Sequence, residues 1–289
     1  MHYQGTIYRP PSEANSILLQ VTTGCSHNKC TFCGMYKGQR FTIKPEERVL
    51  ADIEYAATHF AHARRLFLCD GDALTLGTDR LLTILRAIQA KLPKVTRVGI
   101  YANSKSLRSK SVEELQLLSR HGLGICYIGL ESGDDVTLNR INKGADGKQI
   151  ITAATKTKEA GIPVSITVLL GVAGPERSTI HATETGRVLS AIDPEFVGAL
   201  SLMLEPGTVL YDEYQAGHFA MPEPFAILQE LRTMIAATNL SNGLFHANHA
   251  SNYLPIKAKL PEEKDSTLGL LDRALSGTMA LKPEYLRAL

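Results

Sequence analysis

Cys25, Cys30 and Cys33 fall within nine residues, in the stretch GCSHNKCTFCGMY at 24–36. Thiolates are soft ligands, and such a cluster suits Zn, Cu(I) or an iron–sulfur centre. The chemistry turns on the number of ligands. Three thiolates leave one coordination position open for a reacting molecule. Four close the site and make it an electron carrier or a structural staple. The chain holds five cysteines, so both readings are open at this point. A structural zinc needs a fourth ligand, usually from a second knuckle. No second C-x2-C occurs, and His27 sits too close to its neighbouring thiolates to wrap back easily. The spacing C-x4-C-x2-C with a later cysteine also fits a closed site of the plant-ferredoxin type, with Cys69 as fourth ligand. Against this, Cys69 ends the apolar run RLFLC and Cys126 lies inside GICYIGLE, where a small buried thiol is ordinary.

The elements around the cysteines decide what they can face. SILLQV (16–21) reads as a strand leading into the cysteine loop. Further strands are predicted at 65–71, 95–103, 123–133, 163–174 and 195–204, with helices at 45–60, 78–92, 111–122, 146–161 and 177–192. Pro45 suits a first helical turn, Thr78 is the expected cap of the second helix, and Ser111 with Glu114 forms a capping box. Strands alternating with helices must run parallel through right-handed crossovers, and their continuous apolar runs match strands covered on both faces. The fold class is α/β, as a doubly wound sheet or a barrel of the TIM type, complete or partial. In either, function collects at the carboxyl ends of the strands. The polar and Gly-rich stretches GCSHNKC, DGD, AN, ESGDD and GVAGPE fall there. After residue 204 the pattern changes. Residues 205–224 read as a long loop, 224–240 as a helix, 244–255 as a short strand and loop, and 262–277 as a closing helix.

Composition narrows the class. The 289 residues carry 44% hydrophobic and 21% charged side chains and a net charge of +2, ordinary for a globular enzyme and too balanced for a nucleic-acid footprint. Aromatic content is 6% with no Trp, which argues against stacking platforms for single strands. The opening MHYQGTIYRPPSEANS lacks the basic and apolar regions of a signal peptide, and no apolar run approaches the roughly 18 residues of a membrane span. A cytoplasmic protein is expected, with its clustered cysteines used for metal rather than disulfides.

The cysteine loop after the first strand resembles that of the radical S-adenosylmethionine (radical SAM) superfamily. The usual pattern there is C-x3-C-x2-C with an aromatic residue before the last cysteine. Phe32 fills that place, while the SHNK segment holds one residue more. CDGDAL (69–74) resembles the segment that meets the amino group of the bound methionine, with Asp70, Gly71 and Asp72 at the matching positions; taken alone it also reads as a polar turn capping a helix. GLESGDDVTLNRINKG (129–144) is similar to the segment after the fourth strand in oxygen-independent coproporphyrinogen oxidases and methylthiotransferases. Glu131 falls where the ribose hydroxyls are met, and Lys143 where the methionine carboxylate is met, with Arg140 as an alternative cation. ITVLLGVAGPE (166–176) resembles the glycine element lining the adenine, through Gly171 and Gly174. Tyr36 matches an aromatic that contacts the methionine amino group in some relatives. EPGTVLY (205–211) looks like a segment seen in several subfamilies.

The resemblance implies a partial (β/α)6 TIM-type barrel over residues 1–205, with a short C-terminal extension at 206–289 packing on it. It implies a [4Fe–4S] cluster on Cys25, Cys30 and Cys33 and S-adenosylmethionine as the ligand of its open iron. It further implies reductive cleavage of S-adenosylmethionine and hydrogen abstraction from a small-molecule substrate. An electron donor such as flavodoxin or ferredoxin is then expected as a partner. A non-catalytic carrier of haem on the same fold is the alternative. The stretch HANHASNYLP (246–255) reads either as a solvated loop or as a lid over the substrate.

Overall fold

A computed structural model describes residues 1–288. In chain order the strands are β1 (Ile17–Gln20), β2 (Thr22–Thr23), β3 (Thr42–Ile43), β4 (Arg65–Cys69), β5 (Arg97–Ala102), β6 (Leu123–Glu131), β7 (Val164–Leu170), β8 (Phe196–Ser201), β9 (Gly243–Ala247) and β10 (Ile256–Leu260). The helices are α1 (Glu46–His59), α2 (Thr78–Lys91), α3 (Ser104–Arg108), α4 (Val112–Arg120), α5 (Asp135–Arg140), α6 (Gly147–Glu159), α7 (Gly174–Ile192), α8 (Val209–Gln215), α9 (Pro224–Ala237) and α10 (Lys264–Leu275). The fold is α/β with a mostly parallel sheet of eight strands, as the alternating sequence predicts. β2 and β3 form a separate antiparallel pair beside the cysteine loop.

Contacts divide the chain into two compact units. The first comprises Met1–Asn28, Met35–Ile128 and Thr152–Val164. In it β1 pairs with β4, β4 with β5 and β5 with β6, all parallel. Leu19, Leu66, Phe67, Leu68, Ile100 and Cys126 are fully or almost fully buried, as expected of strands covered on both faces. The second unit comprises Lys29–Gly34, Gly129–Ile151 and Ser165–Leu289. There β7 pairs with β8 and β8 with β9 in parallel, and β10 returns antiparallel to β9. α7 lies close to α9 because Gly186 has no side chain; a Cβ there would stand 2.6 Å from that of Ala237. No helix among the described residues is long and apolar enough to cross a membrane.

Several local expectations change. Thr78 is the first residue of α2 rather than its cap; Gly77 holds the cap position, and Thr78 Oγ1 donates to Glu114 Oε1 at 2.6 Å. The capping box of Ser111 and Glu114 forms as expected. The stretch 205–224 is not one loop. Thr208 accepts a hydrogen bond from Tyr211 N–H and starts α8, a cap signal hidden among Pro and Gly turn residues. The second half of 244–255 leads into β10, whose alternation IKAKL is too short to stand out on its own.

Candidate active site

In the first unit, the turn after β4 carries Asp70, Gly71 and Asp72. Gly71 is required by space: a Cβ would lie 2.7 Å from Cε2 of Tyr36 and 2.9 Å from Cβ of Cys25. The glycine thus lets Tyr36, Cys25 and the turn meet. Asp72 is buried and fully engaged. Its Oδ2 accepts from Ser26 Oγ at 2.5 Å, Thr75 Oγ1 at 2.5 Å and Asn103 Nδ2 at 2.7 Å. Its Oδ1 accepts from Ser106 Oγ at 2.7 Å and Asn103 N–H at 3.3 Å. A carboxylate with two oxygens so occupied is a fastener, tying the residue after Cys25 to the start of α3.

Asp70 differs. It is 0% exposed, and its Oδ2 accepts from Gln20 Nε2 at 2.8 Å. Its Oδ1 makes no hydrogen bond with any described residue. Burial pushes its carboxyl up from the ordinary 3.8 to about 6, while the Gln20 amide, the Gly24 N–H and Lys44 act in the opposite sense. The hydroxyl of Tyr36, likewise buried, has no partner among the described residues. Burial and then the Asp70 carboxylate raise the Tyr36 phenol, so it stays protonated and able to donate. Tyr8 meets Tyr36 edge-on, with ring centroids 5.4 Å apart.

The cysteines separate into two classes. Cys25, Cys30 and Cys33 are partly exposed, and Cys69 and Cys126 are buried. Burial raises the Cys69 thiol, helped by Asp70, and pushes Cys126 up to about 12. Cys69 and Cys126 thus differ in exposure from the three loop thiols, as small thiols packed in strands do. Within SHNK one residue ties the loop together. Asn28 adopts a left-handed backbone, φ +40°, and its Nδ2 donates to the carbonyl of Tyr36 at 2.8 Å, closing the loop on itself.

In the second unit, the segment 29–34 carrying Cys30, Phe32 and Cys33 is pinned through Thr31. Its N–H donates to Ile141 at 2.9 Å, and its carbonyl accepts from Leu210 N–H at 3.0 Å. A Cβ on Gly34 would collide with the carboxylate of Glu205, so the segment EPGT packs directly against the residue after Cys33. At the end of β6, Glu131 adopts φ +65°, and its Oε1 accepts from Lys143 Nζ at 2.9 Å. Gly129 makes room for this pair, because its Cβ would strike the Glu131 carboxylate and come 2.8 Å from Lys143 Nζ. The alternative cation Arg140 is committed elsewhere, to the carbonyl of His218 at 3.0 Å and over the ring of Phe219 at 5.1 Å.

At the end of β7, Gly171 has φ +82°, and its N–H donates to buried Glu230 Oε1 at 2.6 Å. Ser178 Oγ donates to the other oxygen, and His181 Nε2 lies 3.4 Å from Oε1. His181 Nδ1 meets Ser132 Oγ at 2.7 Å, so buried polar groups join the ends of β6 and β7. Asp134 next to this turn is held by Arg177 through two bonds of 2.8 and 2.9 Å. Within 246–255, Ser251, Asn252 and Tyr253 are buried rather than solvated. Asn252 meets Ser201 Oγ and the carbonyl of Ala199, and Arg287 stacks on Tyr253 at 4.2 Å. Sequence reasoning singled out none of Gln20, Ser26, Asn103, His181 and Glu230, although Ser26 and Asn103 lie in the polar stretches GCSHNKC and AN and Gln20 is the single amide in SILLQV.

Comparison with known proteins adds three findings. Residues 19–183 match the model of the radical SAM superfamily. The heme chaperone HemW of Bacillus subtilis is 22% identical over 236 residues, covering 79% of this chain and 61% of that protein. Two solved structures share the fold. Coproporphyrinogen III oxidase (HemN) from Escherichia coli has a TM-score of 0.56 at 15% identity, covering 76% of this chain and 51% of the other. The radical S-adenosylmethionine methyltransferase TsrM from Kitasatospora setae, solved with cobalamin and a [4Fe–4S] cluster, has a TM-score of 0.56 at 16% identity, covering 93% and 55%. The chain thus spans less than two thirds of each of these proteins.

Proposed function

The chain belongs to the radical SAM superfamily, and from that premise we propose that it is an enzyme that abstracts hydrogen from a small-molecule substrate. The cofactors of the family are a [4Fe–4S] cluster and S-adenosylmethionine, which together supply one-electron cleavage of a sulfonium and a carbon radical able to remove hydrogen. The residues present fit these groups. Three partly exposed thiols in one loop suit a cluster with an open position. The observation that carries the reading is the turn after β4: the buried Oδ1 of Asp70 and hydroxyl of Tyr36 have no hydrogen-bond partner among the described residues, beside a glycine with no space for a Cβ.

In this reading Cys25, Cys30 and Cys33 hold the cluster, with Phe32 shielding it. Asp70 accepts from the amino group of the methionine moiety, and Gly71 allows close approach. Tyr36 donates beside it. Asp72 acts as the fastener that holds Ser26 and the loop. Glu131 accepts from ribose hydroxyls, Lys143 pairs with the carboxylate, and Gly171 borders the adenine. Carboxylate to ammonium and ammonium to carboxylate are charge-assisted pairs, suited to exact placement of a zwitterion. The chemistry belongs to residues 1–205, with 206–289 as an extension, and the electron comes from a flavodoxin or ferredoxin.

Anaerobic reconstitution with iron and sulfide, followed by assay for 5′-deoxyadenosine with dithionite, tests this. Production of 5′-deoxyadenosine supports the enzyme. Iron and sulfide are expected to be lost in Cys25→Ala, Cys30→Ala and Cys33→Ala and kept in Cys69→Ala. A second reading, a haem carrier, is favoured by the 22% identity with the heme chaperone HemW. Intact S-adenosylmethionine together with stoichiometric haem binding would establish it instead.

A further inference from the structure

Gln20 closes β1 as a polar residue in an apolar strand and is 0% exposed. Burying an amide is costly unless each of its polar atoms is bonded. Here they are. Oε1 accepts from the backbone N–H of Gln4 at 2.9 Å. Nε2 donates to the carbonyl of Gln4 at 2.9 Å and to Asp70 Oδ2 at 2.8 Å. The first pair of bonds settles which way the amide faces. Only one orientation matches both the donor and the acceptor of the same backbone unit, and that orientation turns the NH2 group to Asp70. A flipped amide would set a carbonyl oxygen against a carboxylate oxygen.

The consequence falls on Asp70. With Oδ2 held by an obligatory donor, the carboxylate cannot rotate freely, and Oδ1 is the oxygen left without a bond. The segment before β1 is itself held in place. Lys44 Nζ donates to the carbonyl of His2 at 2.5 Å and to buried Asp52 at 2.8 Å, while Tyr3 donates to the carbonyl of Leu18 at 2.7 Å. Tyr8 then reaches the edge of the Tyr36 ring.

We propose that Gln20, oriented by the backbone of Gln4, is a positioning residue for the cofactor site: it fixes Asp70 as an oriented acceptor for a cationic amino group. This rests on the assignment of Asp70 to the amino group of S-adenosylmethionine. Replacing Gln20 by leucine removes the donor to Oδ2 and strands the backbone of Gln4. Replacing it by glutamate keeps the shape and sets a like charge against Asp70. A neighbouring carboxylate raises the pH needed to ionise the pair.

The test is equilibrium dialysis of radiolabelled S-adenosylmethionine against reconstituted protein from pH 5.5 to 8.5, with iron and sulfide content and melting temperature measured in parallel. Asp70→Asn is the reference. Gln20→Leu is expected to weaken binding by about 10-fold, the loss of one hydrogen bond to a charged group, with cluster content unchanged. Gln20→Glu is expected to shift the acid limb of binding to higher pH and to regain affinity as pH rises, a response that a packing defect would not give. If Gln20→Leu and Gln20→Glu both bind as the wild type does while Asp70→Asn is weakened, the role of Gln20 is overturned and the Asp70 assignment stands. If Asp70→Asn binds as the wild type does, the Asp70 assignment fails and the proposal with it.

Discussion

The turn after β4 and the turns after β6 and β7 all end parallel strands, yet their polar groups meet opposite fates. After β6 and β7 the charged groups are matched, although buried His181 Nε2 makes no hydrogen bond among the described residues. Glu131 takes Lys143, Asp134 takes Arg177, and Glu230 takes the Gly171 N–H and Ser178. After β4 a carboxylate oxygen and a phenol are buried without partners among the described residues, two residues from a carboxylate that has five donors. Unpaired buried polar atoms cost about 1–3 kcal/mol each, so folding alone does not favour them. A turn that keeps two such atoms together, next to an Asp72 whose bonds are all made, is suited to receive a ligand. In the proposed site the two kinds of turn ask different things of a ligand: Asp70 and Tyr36 offer unmet atoms, whereas Glu131, Lys143 and Gly171 must exchange a protein partner for the ligand.

The sharpest way to break this comparison is Gly71→Ala. The added methyl has 2.7 Å to the Tyr36 ring and 2.9 Å to Cys25, so the turn must open to admit it. Overpacking of this kind costs roughly 1–3 kcal/mol. Affinity for S-adenosylmethionine is expected to drop on the order of 100-fold, about 3 kcal/mol of lost positioning and contact. Binding within 3-fold of the wild type would show that the turn does not border the ligand.

Much of this is legible in the sequence alone, and the reasons differ by residue. The parallel strands announced themselves because each is a short apolar run ended by Gly, Asp or Asn. The cysteine loop was legible because ligand spacing is local in sequence. Asp70 and Asp72 looked alike, since a chain of letters shows the same carboxylate twice. What separates them is Asn103 and Ser106, more than 30 residues on, which saturate Asp72 and leave Asp70 alone. Gln20 and Glu230 were illegible as site residues for the same cause: their partners lie 16 to 59 residues away. Thr208 was overlooked for a different reason. Its cap bond is local, but Pro206 and Gly207 before it signal a turn more strongly than a helix.

The next contrast sets Asp70→Asn against Glu230→Gln. Both remove one buried charge with little change of shape. At Glu230 both oxygens are in use, so the amide gives up the charge-assisted bond from Ser178, whose hydroxyl must turn to accept, while the other oxygen keeps the Gly171 N–H. A destabilisation of about 1–3 kcal/mol is expected, read as a lower melting temperature. At Asp70 the amide loses only an oxygen that had no partner. Melting is expected to hold or rise, while affinity for S-adenosylmethionine falls about 10- to 30-fold, as for a lost charged hydrogen bond. Equal destabilisation by both variants would erase the distinction between an open turn and closed ones.

The smallest effect is the pH dependence of folding, and its sign distinguishes the two regions. Asp70 has its carboxyl raised by burial, from 3.8 unfolded to about 6 folded. The folded chain therefore binds the proton more tightly. Its contribution to stability is full below about 3.8 and is lost as pH rises through about 6. Asp134 runs the other way. Burial opposes ionisation there, but the Arg177 and Thr137 bonds outweigh it and bring the carboxyl down to about 2. Its contribution is full above about 3.8 and is lost as pH falls through about 2. Melting curves of the protein without S-adenosylmethionine, taken from pH 2 to 8, should show Asp70→Asn losing less stability than the wild type between pH 4 and 6. Asp134→Asn should leave that interval unchanged and flatten only the approach to acid. S-adenosylmethionine, by giving Asp70 an ammonium partner, should cancel the loss near pH 6 in the wild type and do nothing for the variant, because only an unmet carboxylate gains from a cation.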